Sequence, residues 1–417
     1  MTTTLPLALY GVATGVLEPF APAILRSRAR RGKEDARRLS ERLGRAPRPR
    51  PDGGLVWLHG VSVGETTSLL PLIAALRARR PDLTLLVTSG TVTAASLLGQ
   101  RLPEGVIHQY APVDAPGAVR RFLDHWRPGL AVFVESELWP NLILAAAARD
   151  VLLALVSARM TQASAERWAG WAGSARALLG AFDLILPQDA ATEARFRTLG
   201  VAPGARLNLK LVGEPLPADP AELARLQAAV AGRKVVLAAS THPGEEAPIA
   251  EAFRKAAPDP AAALLIVVPR HPDRGPAIAR ELGATRRGAD EAPTGAIHVA
   301  DTLGELGLFI RLADVVVMGG SFVPGVGGHN PLEPARIGRP ILTGPYAFNA
   351  ADTYADMVSD AAAIEASDGA TLARHLRGLL HNPAIARRMG EAALAYAGRQ
   401  GAALDGAMAL LEPLLPA

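Results

Sequence analysis

Cysteine is absent from the 417-residue chain. That excludes disulfides, thiolate metal sites and cysteine nucleophiles, and it fits a protein facing the cytosol. Aromatic residues make up only 5% of the chain, so any core must be built from small and aliphatic side chains. The nine histidines show no H-E-x-x-H or similar ligand spacing, and no Asp-x-Asp pair is present to hold a nucleotide-bound metal. A metal-independent site without a cofactor is expected. Neither G-x-x-x-x-G-K-[ST] nor G-x-G-x-x-G occurs, so the chain carries no P-loop and no dinucleotide fingerprint. A long uninterrupted apolar run is also missing. Pro6, Glu18, Pro19 and Pro22 break the stretch Leu5 to Leu25 and leave Leu7 to Leu17, eleven residues, where a membrane-crossing helix needs about 20. Basic residues follow this segment rather than precede it, which argues against a signal peptide.

Charge is uneven. The formal net charge is +4, yet residues 26–50 carry eleven Arg/Lys against three Asp/Glu, so the chain beyond residue 50 is slightly acidic. The patch has no interleaved aromatics and no recognised motif, so nucleic acid is not an expected partner. An apolar segment followed by a basic one fits an interfacial anchor, its apolar part in lipid and Arg26 to Arg50 against anionic headgroups. It also fits a first helix packed on the body with a solvated basic face.

The length suggests two domains, each able to bury its own core. Apolar runs alternate with helical patterns, as βαβ units require. In the first half these runs are Leu55–His59, Leu83–Thr88, Leu130–Val134, Leu152–Ser157 and Leu184–Pro187. After the Pro-rich stretch from Gly213 to Pro220 the alternation restarts with Lys234–Ala239, Ala263–Pro269, Ile297–Ala300 and Asp314–Met318. The expected organisation is an N-terminal segment over residues 1–50, a Rossmann-like domain over 51–213 and a linker over 214–231. A second Rossmann-like domain follows over 232–395, then a C-terminal helix over 396–417 that can cross back to the first half.

One stretch concentrates permissive backbone and ligand-competent side chains: Met318-Gly-Gly-Ser-Phe-Val-Pro-Gly-Val-Gly-Gly-His-Asn-Pro-Leu-Glu-Pro-Ala335. It reads as strand, glycine-rich loop and helix start. Its glycines let the backbone approach a ligand, and a helix N-terminus offers free N–H groups to a phosphate. Glu333 has the wrong sign for phosphate but can reach a ribose or base. Arg270, at the end of a strand, can pair a phosphate or carboxylate in bidentate fashion.

Two acidic positions stand at strand ends in the first half, where open α/β sheets place their ligands. Glu65 follows Leu55–His59, and Ser62-x-x-Glu65 also matches a capping box, in which the glutamate only satisfies an amide. Spacing does not separate the two roles. Glu135 and Glu137 follow Leu130–Val134, with Trp139 and Pro140 behind them.

Taken in order, His59-x-x-Ser62-x-Gly64-Glu65, Glu135-Ser-Glu-Leu-Trp-Pro-Asn141, Asn208-Leu-Lys210, Ser240-Thr-His, Pro269-Arg-His271, Gly304-Glu-Leu306 and Gly319-Gly-Ser…Gly-Gly-His-Asn-Pro-Leu-Glu333 resemble the 3-deoxy-D-manno-octulosonic acid (Kdo) transferases of lipopolysaccharide synthesis. The match runs over residues 5–395. The resemblance implies an α/β GT-B glycosyltransferase, with two Rossmann-like domains facing across a cleft and an N-terminal membrane-associating segment. It implies transfer of Kdo from CMP-Kdo to a lipid A precursor (lipid IVA) at the cytoplasmic face of the inner membrane, by a peripheral or monotopic enzyme without metal. By the same resemblance Glu65 is the general base, while Glu135 and Lys210 stabilise the transition state. CMP is held by Pro269, Arg270, His271, Gly304, Glu305, Leu306, Gly320, Ser321, Asn330, Pro331, Leu332 and Glu333. Two departures stand out. Leu-Val follows Lys210 where the family continues with an aromatic and an aspartate, and Pro324-Gly-Val stands in place of a charged pair ahead of Gly327. Other readings of the same residues are a soluble sugar-nucleotide epimerase, which leaves the N-terminal segment unexplained, and a membrane-associated nucleotide-sugar-binding scaffold, which does not require Glu65.

Overall fold

A computed structural model describes residues 4–230 and 232–417. The first three residues of the N-terminal segment and the last residue of the expected linker lie outside it. The chain divides into two compact units, residues 1–213 with 400–417, and residues 214–399.

The first unit holds six parallel strands: β1 (Leu55–His59), β2 (Thr84–Ser89), β3 (Ile107–Tyr110), β4 (Leu130–Val134), β5 (Leu152–Ala158) and β6 (Leu184–Pro187). Their spatial order is 3-2-1-4-5-6. Every residue of β1 and β4 is buried, because helices cover both faces and no strand position is left for solvent. Side chains alternate between the faces: Leu55 and Trp57 join one core with Phe122 and Phe133, while Val56 and Leu58 join the other with Leu69 and Ile73. Met408 and Leu411, from the C-terminal helix, pack into that second core.

The second unit holds seven parallel strands: β7 (Lys234–Thr241), β8 (Ala263–Pro269), β9 (Thr285–Arg286), β10 (Ile297–Val299), β11 (Val315–Met318), β12 (Ile341–Thr343) and β13 (Ala363–Glu365). They are ordered 13-12-11-7-8-10-9. Short strands β3, β9, β12 and β13 do not stand out in the apolar pattern. The stretch expected as linker contains a helix, Pro220–Ala229, whose N-cap Asp219 accepts from the amides of Ala221 and Glu222.

The N-terminal segment departs from expectation. Helix Leu5–Leu17 continues through a 3-10 turn, Glu18–Phe20, into helix Ala21–Arg30, giving 26 helical residues. Pro19 and Pro22 stand at the first positions of the turn and of the second helix, where a missing N–H costs nothing. By length and composition this helix is able to cross a membrane. Its two faces differ. Leu7, Tyr10, Thr14, Glu18 and Leu25 lie on one side: Tyr10 donates to Asp114 at 2.9 Å, Asn141 donates to Thr14 at 2.9 Å, and Glu18 accepts from the Gly117 amide at 2.7 Å and pairs with Arg121 at 3.0 Å. Leu5, Leu9, Val12, Val16, Phe20 and Ile24 form the opposite stripe, each between 54 and 73% exposed. The helix therefore packs on the body and still presents an apolar face.

Candidate functional site

In an open parallel sheet the chain leaves a crevice where neighbouring strands run on to opposite sides, and ligands bind at the strand C-termini there. In the first unit that point lies between β1 and β4, and both carry acidic residues just beyond their ends. Gly60 follows β1; a Cβ there would sit 3.1 Å from Glu65 Cβ and 3.2 Å from a Val134 methyl, so glycine eases the close approach of the β1 loop and Glu65 to β4. Ser62 caps helix Val63–Arg79. Its Oγ accepts from the Glu65 amide at 3.3 Å and donates to Glu65 Oε1 at 2.5 Å, while Glu65 Oε2 accepts from the Val61 amide at 2.7 Å. Ser62 thus caps the helix, while Glu65 bonds back to the Val61 amide and the Ser62 hydroxyl instead of the Ser62 amide of a full capping box, and its half-buried carboxylate is held in one orientation at the crevice.

Glu135 stands immediately after β4 with φ +54°, a left-handed conformation unusual for glutamate. It is 8% exposed, and its Oε1 lies 2.6 Å from Lys210 Nζ, on the turn Leu209–Leu211. The Arg159 amide, just past β5, donates to the Glu135 carbonyl at 3.1 Å. Glu137 completes the group. Trp139 Nε1 donates to its Oε2 at 2.6 Å. Burial, followed by the charge of Glu65, raises its pKa to about 7; a hydrogen bond with Glu65 and the charge of Glu135 add to the rise, against the Trp139 bond. Three carboxylates and one lysine thus meet, from two strand ends and the turn Leu209–Leu211. Such a group can accept a proton and balance a developing positive charge. His59, in the same motif, takes no part: it is fully buried, its Nδ1 lies 2.8 Å from Thr88 Oγ1, and burial lowers its pKa to about 3.

In the second unit the equivalent point lies between β7 and β11. The glycine-rich stretch follows β11, and Ser240-Thr-His242 ends β7. A Cβ on Gly319 would stand 2.6 Å from the Ser240 carbonyl, so the two strand ends touch only because residue 319 is glycine. Glu245 organises this region and escaped the sequence reading. It is fully buried, and its carboxylate accepts from the amides of His242 at 2.8 Å, Gly320 at 2.7 Å and Phe322 at 2.9 Å. The signal was a repeat: Gly64-Glu65 after β1 and Gly244-Glu245 after β7, each glutamate bonding back to its own loop.

Two residues expected at the nucleotide, Gly320 and Ser321, also bond within the loop. The Gly320 amide is occupied by Glu245, and the buried Ser321 hydroxyl donates to the Met318 carbonyl at 2.6 Å and accepts from the Gly344 amide at 2.7 Å. Both shape the loop from within. The helix after the loop, Leu332–Ala335, is a single turn; Leu332 is buried, Pro331 precedes the turn and Asn330 caps the Leu332 amide at 3.1 Å. A one-turn helix carries little dipole, so its N-terminus alone offers little to an anion. Side chains following β7, β8 and β11 lie close by. His242 Nε2 and His329 Nε2 lie 2.9 Å apart with stacked rings, and His271 packs edge-on to His242. Burial lowers the pKa of His329 to about 4, with His242 and Arg270 adding to the effect. Arg270 follows the buried Pro269 and is exposed, its amide donating to the Thr241 carbonyl at 3.0 Å. Burial raises the Glu333 pKa, and Arg336 and Arg270 oppose that rise, so Arg270 and Glu333 act on one another despite their separation in sequence. Beyond β10, Gly304 takes φ +82°, Glu305 pairs with Arg287 at 2.6 Å, and Leu306 begins a helix. Among the described residues no group of three or more His, Asp or Glu is placed to hold a metal ion.

The family model described as 3-deoxy-D-manno-octulosonic-acid transferase (kdotransferase) matches residues 37–213. The 3-deoxy-D-manno-octulosonic acid transferase of Bordetella pertussis is 36% identical, over 97% of this chain and 99% of that protein. The one from Rickettsia bellii (strain RML369-C) is 33% identical, over 98% and 99%. A glycosyltransferase structure from Rickettsia africae ESF-5 superposes with a TM-score of 0.59, covering 87% of this chain and 99% of that one. It is 9% identical, so it speaks for the fold alone, which is that of the GT-B glycosyltransferases. With two relatives matched at a third identity from end to end, this chain belongs to the 3-deoxy-D-manno-octulosonic acid transferase family.

Proposed function

We propose that the protein transfers Kdo from CMP-Kdo to a lipid A precursor, lipid IVA, at the cytoplasmic face of the inner membrane, with Glu65 as general base. The observation that carries this reading is the meeting of Glu65, Glu135, Glu137 and Lys210 at the crevice of the first sheet in a chain of this family. An acceptor sugar hydroxyl holds its proton far above neutral pH and needs a base as it attacks. Glu65 takes that proton, the hydroxyl oxygen bonds to the anomeric carbon of Kdo, and the bond from that carbon to the phosphate oxygen breaks. CMP departs as a phosphate monoester. Positive charge developing on the sugar is met by Glu135, which Lys210 holds in position. Arg270 and the neighbouring histidines 242 and 271 meet the phosphate, while Glu333, Asn330 and residues 304–306 serve the ribose and base. No step calls for a metal ion.

The exposed stripe from Leu5 to Ile24 and the basic residues from Arg26 onward suit a monotopic or peripheral attachment to anionic lipid. Purified protein incubated with radiolabelled CMP-Kdo and lipid IVA tests the whole reading. The expected result is label in the lipid. Conversion of the nucleotide-sugar without lipid labelling would indicate an epimerase, and binding without turnover a scaffold.

A further inference from the structure

A cavity of about 480 Å³ opens in the first unit between the N-terminal helix and the loop after β4. That volume falls within the range of small-molecule sites, about 300–1,000 Å³. Its walls are Pro6, Leu7, Leu138 and the indoles of Trp139, Trp168 and Trp171. Of the polar groups on its lining, Tyr10 donates to Asp114, Ser174 bonds Thr4 at 2.7 Å, and Trp139 donates to Glu137. A sugar or nucleotide placed here would lose its water and find few partners in return, which is costly. A hydrocarbon chain needs no partners and gains from leaving water.

The position of the cavity narrows the occupant further. Pro6 and Leu7 belong to the helix whose other face carries the exposed apolar stripe. Trp139 and Trp171 remain 38 and 58% exposed, as indoles do where one end is apolar and the other wet. The opposite wall is Ser136 to Pro140, whose Glu137 belongs to the carboxylate group. The cavity lining thus reaches from the N-terminal helix to Glu137.

We propose that this cavity binds one fatty acyl chain of the lipid acceptor and so positions the acceptor sugar beside Glu65 and Glu137. The proposal rests on the functional reading above and adds an acyl-recognition site to it. Trp171→Glu tests it, because the residue is exposed, so folding is preserved, yet the new charge stands at the rim of the cavity. Kinetics are measured with two acceptors, lipid IVA and its acyl-free glucosamine disaccharide bisphosphate. The variant should raise KM for lipid IVA about tenfold, as a charge beside a buried chain would, with kcat within about twofold and the low activity on the acyl-free sugar unchanged. Equal losses on both acceptors, or no change on lipid IVA, overturn the acyl site. A wild-type enzyme that labels neither acceptor overturns the functional reading instead. A dibrominated fatty acid added below its micelle concentration gives a readout independent of turnover. Saturable quenching of tryptophan emission supports the site, and absence of quenching overturns it.

Discussion

Lys210 Nζ and Glu135 Oε1 stand 2.6 Å apart, joining a turn near the end of the first unit to a left-handed residue at the end of β4. The lysine side chain is 45% exposed, so the pair adds little to stability, about 1 kcal/mol or less. Its removal should act on the reaction. Lys210→Ala is expected to lower kcat by about 10²-fold, the usual loss for one group that stabilises a transition state, while the melting temperature barely moves. A large drop in melting temperature with kcat preserved would make the pair structural.

Glu65→Gln separates the two roles that spacing left open. Both Glu65 oxygens accept a hydrogen bond, from the Val61 amide and the Ser62 hydroxyl, and glutamine retains only one acceptor. A capping defect costs about 0.5–2 kcal/mol, whereas loss of a general base costs ~10²–10⁴ in rate. The expected outcome is a modest fall in melting temperature, unchanged CMP affinity and loss of transfer. Near-wild-type turnover would return Glu65 to its capping role and make Glu135 the next base to test.

Glu137 makes the protein sensitive to pH around neutrality. Burial and the neighbouring Glu65 raise its pKa from the ordinary glutamate range to about 7. Between that range and pH 7 the folded chain keeps a proton that the unfolded chain has released, so stability falls as pH rises through this window. Its contribution is complete below the ordinary range and lost above about pH 7. Glu137→Gln should remove the decline, which melting curves at pH 5 and pH 8 will show as a smaller difference than in the wild type.

On the nucleotide side, Arg270→Ala should weaken CMP binding by about tenfold to a hundredfold, as expected for the loss of a hydrogen bond to a charged group. Calorimetric titration with CMP measures it, and an unaltered Kd would remove Arg270 from the site. EDTA should leave the transfer rate intact, because no cluster of potential ligands was found among the described residues.

The exposed stripe of the N-terminal helix should govern membrane attachment. Deleting the helix would also break its contacts through Tyr10, Thr14 and Glu18, so substitution is the cleaner test. Changing Leu9, Val12, Val16 and Phe20 to serine should move the protein from the membrane to the soluble fraction while leaving its melting temperature close to wild type. Retention on membranes at high salt would exclude this face as the anchor.

The sequence alone determined the two parallel-sheet domains, because strands buried on both faces must be near-continuous apolar runs, and Leu55–His59 and Ala263–Pro269 can be nothing else. It also determined that Glu65, Glu135, Arg270 and the glycine stretch follow strand ends, since their positions relative to those runs are local. Tertiary structure decided the rest. Strand order brought the ends of β1 and β4 together, and with them Glu65 and Glu137, whose shared burial no spacing encodes. Glu245 was invisible as an organiser of the glycine loop because its partners, Gly320 and Phe322, lie more than seventy residues away and become neighbours only when β7 pairs with β11. The N-terminal helix shows the same division. Its apolar composition was legible, but which side stays exposed depended on Asp114, Gly117 and Asn141, residues that hold the opposite side only in the folded chain.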